Sequence, residues 1–439
     1  MPDELLSSYA GDFDPQVTLA DFSRQALCRL GREYLLIGHL QDRVGLPLAV
    51  QLFGEEAQIQ FSIDEWMGAS PIYSRRMQEA LDFVGDTVET TFKNLQLDIG
   101  APPQFMDFQF RLDGPEYGEF WLPHCGALLD IEPYGEERVK RMCHDIEDPT
   151  FDATAAATNP RMKMRPIHRP PRRPAGRYPH CRWAVSIDGE AAPYEQHPNL
   201  PIMQATRIAT IEIELPAEDR EPGGWADYSG PFDPGFQLED LGHRALLVVA
   251  QEAAVQLHLL ARAFMLNVAH KAGDEAACSL GRRQWIGIAA LATHRLKRTM
   301  AIDGDGIDAI AKVFQIHPHF HPRSYLDFRV EQTGEETARI SIGDCPAFEE
   351  KDPYSWLAGL APEPHPALDA IAGAVNPHAR CHAVAKPGEA RYAWDVVIDS
   401  SAPPQEEPGE LALSRFSRGA DFELEQRRPL RGDTRGTPS

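Results

Sequence analysis

The chain has 439 residues, of which 43 are Lys or Arg and 66 are Asp or Glu, giving a formal net charge of −23. This length suits two or three domains, and 43% hydrophobic with 25% charged residues is typical of a soluble globular protein. The negative charge argues against a nucleic-acid partner and against docking on anionic lipid, because both require a basic surface.

The first part of the chain predicts helices followed by strands. Apolar residues recur there at helical spacing, and a turn signal later separates two short apolar runs. The predicted elements are, in chain order, helices over 18–43 and about 70–95, strands over 105–112 and 119–122, a short helix after Cys125, and a closing strand around Trp183.

The second part of the chain predicts the same order of elements. An alternating apolar segment, 208–215, precedes it and predicts a strand. The later elements are, in chain order, helices over 241–269 and 282–300, strands over 325–330 and 338–342, and a closing strand around Trp394. Residues beyond 401 are polar and rich in Pro, which predicts a disordered tail.

The two parts are copies of one unit. His39 and His258 lie 219 positions apart, and Trp66 and Trp285 keep the same offset. The offset becomes 220 between Cys125 and Cys345, as one inserted residue would produce. A nearly constant offset through such residues indicates a tandem duplication.

The duplication predicts an α+β fold in which each unit has N-terminal helices followed by an antiparallel sheet, the two units forming a pseudo-two-fold pair. The predicted divisions are copy one (18–190), a connector (191–236), copy two (237–400) and the disordered tail (401–439).

The cysteines predict a reduced, cytoplasmic protein. There are seven, an odd number that does not suit a disulfide framework. The N-terminus lacks the pattern of a signal peptide, and no run of about 18 apolar residues predicts a membrane span.

Copy one concentrates groups that can act as nucleophile and base. Cys125 is the candidate nucleophile and His144 the candidate base, since a thiolate needs a neighbouring base or cation. Cys143 belongs to the same candidate catalytic set. Copy two has Asp344 opposite His124 and a Pro-rich segment opposite Cys143-His144, so copy one is expected to hold the site and copy two to act as a scaffold.

A cationic loop in this acidic protein suits a substrate carboxylate. Arg165, His168 and Arg169 are the candidate binding residues there. A metal interpretation competes: His124, Cys143 and His168 could hold a divalent ion, zinc or iron, with an open position for water. Their spacing matches no familiar zinc signature.

The Glu33/His39 pair recurs as Glu252/His258. Six residues along a helix turn through 600°, so the two side chains do not share a face. They are either polar groups satisfied within a buried helix pair, or Glu33 is catalytic and His39 binds substrate at the junction of the copies.

Each copy resembles the L-2-amino-thiazoline-4-carboxylic acid hydrolase-like family, in which helices precede a Cys-Pro-type element, an Asn-Pro element and a closing strand. The residues that carry the resemblance are Asp344-Cys345-Pro346-Ala347, Asn376-Pro377 and Tyr392-Ala393-Trp394 in copy two, and His124-Cys125-Gly126-Ala127, Asn159-Pro160 and Cys181-Arg182-Trp183 in copy one. The resemblance implies hydrolysis of a C–N bond in a small heterocyclic or amino-acid-like substrate.

The expected function is therefore that of a small-molecule catabolic hydrolase with a Cys/His centre in copy one and a carboxylate-bearing substrate. Two alternatives stay open: a non-catalytic small-molecule or cofactor-binding protein, and a metal-dependent oxidoreductase using the same cluster. The expected partner is a small-molecule substrate, with no nucleic acid and no membrane, and the sequence leaves open a homo-oligomer.

Overall fold

The computed structural model describes residues 4–432. Copy one comprises α1 (Arg24–Leu40), α2 (Asp42–Phe53), α3 (Ala57–Ala80), α4 (Val88–Leu95), β1 (Gln109–Gly114), β2 (Tyr117–Leu122), α5 (Gly126–Ile131), α6 (Glu136–Lys140), α7 (Glu147–Ala156), β3 (Met162–His168) and β4 (Cys181–Ile187). The connector carries α8 (Asn199–Gln204) and α9 (Arg207–Thr210).

Copy two and the C-terminal segment follow the same plan. Their elements are α10 (His243–Ala272), α11 (Asp274–Thr299), α12 (Ile307–Ile316), β5 (Phe328–Gln332), β6 (Thr337–Ile342), α13 (Pro366–Val375), β7 (Ala379–Ala383), β8 (Tyr392–Ile398) and α14 (Gly409–Ser414). A π-helix, Arg141–Ile146, joins α6 to α7 in copy one.

The predicted α+β fold with two antiparallel sheets is confirmed. The sheets have equivalent strand orders, β1-β2-β4-β3 and β5-β6-β8-β7, and every pair of neighbours is antiparallel. Trp183 stands opposite Phe120 in the first sheet, as Trp394 stands opposite Ile340 in the second. Each tryptophan is fully buried, so the repeated indoles anchor the two cores.

The central helices bury the two copies against each other. The long helix α10 packs against α1 and α3 of copy one as well as against α11. It is the one helix of residues 4–432 long and apolar enough to cross a membrane, but 89% of its most apolar window is buried inside the protein. This is the environment of a helix in the core of a folded protein.

Two buried ion pairs show the pseudo-two-fold relation of the copies. Glu33 of α1 accepts from Arg295 of α11 at 2.7 Å, and Glu252 of α10 accepts from Arg76 of α3 at 2.6 Å. Both members of each pair differ by 219 positions from their counterparts. Each pair joins one copy to the other, so it fixes their mutual orientation while neutralising buried charge.

The N-terminal arm of each copy lies on the other copy. Tyr9 donates to Gln315 of α12, and Tyr228 donates to Gln96, next to α4, at 2.8 Å. These contacts also repeat at an offset of 219. The repeated structure therefore begins near Tyr9 and, for copy two, inside the segment expected to be a connector.

Two local expectations are corrected. Residues 208–215 pair with no strand: they form α9 and then an extended segment outside both sheets. The predicted disordered tail over 401–439 is folded against the protein over residues 401–432, and its last residues, 433–439, lie outside the described residues. Leu411 of α14 is buried, Arg295 donates to the carbonyl of Gly419 at 2.7 Å, and Phe422 packs edge-on against Phe105.

Candidate functional site

Copy one contains a cavity of about 600 Å³. Its walls come from α1, α2, α3, the π-helix, α7 and α14. Much of the wall is apolar, including Leu46, Val50, Ile59, Met106, Met142 and Phe416. This size and lining are those of a pocket for a small organic molecule.

Two adjacent carboxyl groups lie at the start of α2 and in the middle of α3. Asp42 lines the cavity and accepts from Trp66 Nε1 at 3.1 Å, while Glu65 lies beside it with no exposed surface. Burial raises the pKa of Asp42 to about 6. Burial and then the charge of Asp42 raise the pKa of Glu65. Two buried carboxyls so close together favour one shared proton over two charges.

These carboxyl groups are incompletely satisfied. Within residues 4–432, no donor other than the proton shared by these two carboxyl groups reaches Oδ1 of Asp42 or either oxygen of Glu65. One shared proton cannot satisfy all three oxygens, and buried polar atoms that lack partners call for a functional explanation. Asp42 lines the cavity and Glu65 does not, so a donor supplied by a ligand there would reach Asp42.

A third carboxyl group, Asp98, follows α4 in the same wall. It accepts from the backbone of Gly100 at 2.7 Å and from Asn94 at 3.2 Å, and Tyr73 lies next to it. Burial nevertheless raises the pKa of Asp98 to about 6, because the low-dielectric surroundings penalise the charge more than these donors stabilise it.

Glu147, at the start of α7, is the fourth carboxyl group. Burial raises its pKa to about 8 in spite of the nearby positive charge of Arg169. Asp42, Asp98 and Glu147 therefore all change protonation state within about two pH units of neutrality. Groups that titrate there can both give and take protons under ordinary conditions.

His39 lines the cavity as an uncharged group. Its Nδ1 lies 3.2 Å from the carbonyl of Ile99 and its Nε2 lies 3.2 Å from Arg43. These partners fit a ring that donates at Nδ1 and accepts at Nε2. Burial, followed by the charge of Arg43, lowers the pKa of His39 to about 3. It can therefore hold a ligand by hydrogen bonding but not by charge.

The equivalent region of copy two is filled. Trp285, the counterpart of Trp66, stacks on Trp356 with ring centres 6.0 Å apart and planes 4° apart. His319 and His365 pack against the same pair, with His319 accepting from Trp285 Nε1 at 2.8 Å. Aromatic rings thus pack closely here, whereas copy one keeps open space.

The predicted cysteine nucleophile lies in an environment that disfavours its thiolate. Cys125 caps the N-terminus of α5, where its Sγ accepts from Leu128 at 3.4 Å, and burial raises its pKa to about 12. Burial also raises the pKa values of Cys143 and Cys181, and the negative charge of Glu147 adds to each.

The predicted base and cationic residues have other partners. His144 Nε2 lies 2.7 Å from the carbonyl of Pro170. Arg165 pairs with Asp152 at 2.9 Å, and Arg169 pairs with Asp148. His168 has a pKa lowered by burial and then by Arg177 and Arg182. None of the four lines the 600 Å³ cavity.

The residues predicted to bind a metal, His124, Cys143 and His168, do not form a metal site in the structure. His124 stacks against Phe422 with ring centres 5.8 Å apart, whereas Cys143 is buried in the π-helix. Throughout residues 4–432, no three His, Cys, Asp or Glu side chains are grouped so that they could hold a metal ion. Glu33 forms its ion pair with Arg295 away from this cavity.

The four carboxyl groups were not among the site residues predicted from the sequence. Comparison of the copies at an offset of 219 could have found two of them, because Asp42 corresponds to Ala261 and Glu65 to Gln284. Each of these charged residues has an uncharged counterpart in the other copy. Such a difference indicates that the charged group has a role in one copy only.

Comparison with known proteins adds no relative: no family description, curated protein or solved structure matches this chain. The site must therefore be interpreted from its own chemistry.

Proposed function

We propose that the chain binds a largely apolar small molecule in the copy-one cavity and that a hydrogen-bond donor on this molecule, such as an amine, meets Asp42. The observation that carries this proposal is the open cavity of about 600 Å³ bordered by Asp42, whose Oδ1 accepts from no N–H donor within residues 4–432. Copy two, built on the same plan, has Ala261 and Gln284 in place of the carboxyls and aromatic rings in place of the space.

The charge of the wall favours a donor on the ligand. Three carboxyl groups, those of Asp42, Asp98 and Glu147, line the cavity. Arg43 also lines it, but its guanidinium already pairs with Asp130 at 3.2 Å. A protonated amine would relieve the cost of ionising a buried carboxyl group, because the opposite charge stabilises the ionised form. Arg138 and Arg141 also line the cavity, each 3.6–3.7 Å from Glu55, and offer the competing site for a carboxylate.

A matched pair of probes tests the preference. We would titrate the full chain calorimetrically with 2-phenylethylamine and with 3-phenylpropionate, which share an aromatic body and differ in charge. The amine should bind more tightly, and Asp42→Asn should weaken it by about tenfold, the effect of losing one charge-assisted contact. Tighter binding of the carboxylate, unaffected by Asp42→Asn, would overturn the proposal.

A blocking variant tests the location. Val50 of α2 lines the cavity and is half-buried, whereas Leu52 on the same helix is 50% exposed and lies outside it. Val50→Trp should abolish binding by occupying the space. Leu52→Trp should leave binding unchanged. Equal effects of both variants would place the ligand elsewhere.

The near-neutral pKa values of the carboxyl groups favour one catalytic extension, hydrolysis of a C–N bond. Ionised Asp98 or Asp42 would take a proton from water, whose oxygen forms a bond to the carbon. The C–N bond then breaks, and protonated Glu147 gives its proton to the leaving nitrogen. This route keeps the expected hydrolase but replaces the Cys125 thiolate with carboxyl groups.

A pH-rate profile on a panel of simple amides and amidines would test this extension. We expect the rate to follow a bell-shaped dependence on pH. Asp98→Asn and Glu147→Gln should each change a limb of this curve. Full turnover in both variants would exclude it, whereas loss of turnover on alkylation of Cys125 would restore the thiolate mechanism. We further propose a cytoplasmic location, in keeping with seven free thiols.

A further inference from the structure

A second cavity, of about 300 Å³, lies at the junction of the two copies. Helix α1 of copy one, the 3-10 helix Leu238–Asp240, the end of α11 and the segment after α14 form its walls. Leu424 is the apolar residue of a lining that is otherwise polar or charged. Its charged residues are three arginines and three glutamates: Arg29, Arg32, Arg298, Glu33, Glu239 and Glu423.

Half of these charges are already neutralised. Glu33 accepts from Arg295 at 2.7 Å and from Thr299 at 2.6 Å. Arg32 donates to Glu239, and the two side chains are 3% and 1% exposed. These pairs leave little free charge on α1 or on the 3-10 helix.

The other charges lack counter-ions within residues 4–432. Arg29 donates to the carbonyl of Ser7, an uncharged partner, and burial lowers the pKa of this guanidinium. Arg298 and Glu423 form no ion pair among the residues that the structure describes. The cavity therefore presents two cations and one anion.

Buried polar atoms of both kinds also lack partners around this cavity. They are two donors, Nε of Arg29 and Nε of Arg32, and one acceptor, Oε1 of Glu239. Unsatisfied groups of both kinds suit a ligand that carries acceptors and donors together.

The pseudo-two-fold relation does not repeat the arginines of this cavity. The Glu33–Arg295 pair recurs as Glu252–Arg76 on the other side of the axis. The three arginines do not recur: their counterparts at an offset of 219 are Val248, Gln251 and Glu79. The cationic residues therefore serve one side only, although both sides join the copies.

We infer that the junction cavity binds a small zwitterion of the amino-acid type, with its carboxylate towards Arg29 and Arg298 and its ammonium group towards Glu423. A guanidinium group matches a carboxylate in shape and charge, and the glutamate supplies the opposite charge. The polar lining favours an amino acid with a polar side chain. This site is separate from the copy-one cavity and does not rest on the function proposed for it.

Three related probes test the inference by calorimetry on the full chain: L-glutamine, N-acetyl-L-glutamine, which lacks the ammonium group, and L-glutaminamide, which lacks the α-carboxylate. L-glutamine should bind at least about tenfold more tightly than either analogue. Equal binding of the acetylated compound, or of inorganic phosphate, would show a site for oxyanions and overturn the inference. Failure of L-glutamine and all other standard L-amino acids to bind would also overturn it.

Variants then locate the site. Arg298 is exposed, so Arg298→Gln should leave the fold intact while weakening L-glutamine by about tenfold. Arg75→Gln is the control, because Arg75 is an exposed arginine of α3 paired with Glu79, and it should have no effect. Val50→Trp should also have no effect, which separates this site from the copy-one cavity. An unchanged affinity in Arg298→Gln would contradict the assignment.

Discussion

Glu147→Gln should make the protein more stable at alkaline pH, because it removes a carboxyl group whose ionisation is opposed by burial. Burial raises the pKa of Glu147 from its ordinary 4.5 to about 8. Between these values the folded state binds a proton that the unfolded state releases. The free energy of unfolding of the natural protein should therefore fall as pH rises through this window.

The magnitude follows from the size of this pKa change. Each unit corresponds to about 1.4 kcal/mol, so complete burial would give about 5 kcal/mol. Glu147 keeps some solvent contact through the cavity, and water there screens the charge, so about 2–4 kcal/mol is expected. No hydrogen bond to its carboxyl group is described, so Gln removes charge without removing a partner.

Denaturant unfolding at about pH 4 and about pH 9 measures the effect. The Gln variant should equal the natural protein at the lower pH and exceed it at the higher. Glu116→Gln is the control, since Glu116 lies exposed in the turn between β1 and β2, and it should show no such dependence. Equal stability of Glu147→Gln and the natural protein at pH 9 would refute the assignment of a buried, proton-binding Glu147.

Three further predictions concern the core and the thiols. Arg295→Met should lower the free energy of unfolding by about 3–5 kcal/mol, because it leaves Glu33 buried and unpaired. Denaturant unfolding measures this loss, and a loss below about 1 kcal/mol would contradict the prediction. Cys125 should resist iodoacetamide at about pH 8 in the folded protein, since burial raises its pKa to about 12; rapid labelling detected by peptide mass spectrometry would refute this. Trp356→Ala should lower the free energy of unfolding by about 3–5 kcal/mol and open a cavity beside Trp285. Binding of benzene by the variant but not by the natural protein would verify the cavity. An unchanged free energy of unfolding would contradict the prediction.

The tandem fold could be predicted because the residues that repeat in the sequence are residues of the two cores. Trp183 and Trp394 occupy equivalent places in two equivalent sheets. The helix expected over 70–95 was wrong in its bounds: α3 begins at Ala57 and continues through Pro71, and a turn separates it from α4. Tertiary burial here outweighs the helix-breaking tendency of proline.

Other features depend on contacts that a local pattern cannot show. The alternation over 208–215 reflects the packing of Ile211 and Ile213 against the core, but a strand also needs a hydrogen-bonded neighbour. The clustering of Cys and His in copy one drew attention to Cys125, while solvent exclusion decides the reactivity of a thiol. Buried carboxyl groups such as Asp42 look like surface residues until the helices around them are assembled.

A crystal structure of the full chain soaked with 2-phenylethylamine would test the proposed binding site most directly. The amine nitrogen should lie within hydrogen-bonding distance of the Asp42 carboxyl group, with the ring between α2 and the π-helix and no molecule beside Trp285. An empty copy-one cavity, or a ligand bound only at another place, would contradict the proposed function.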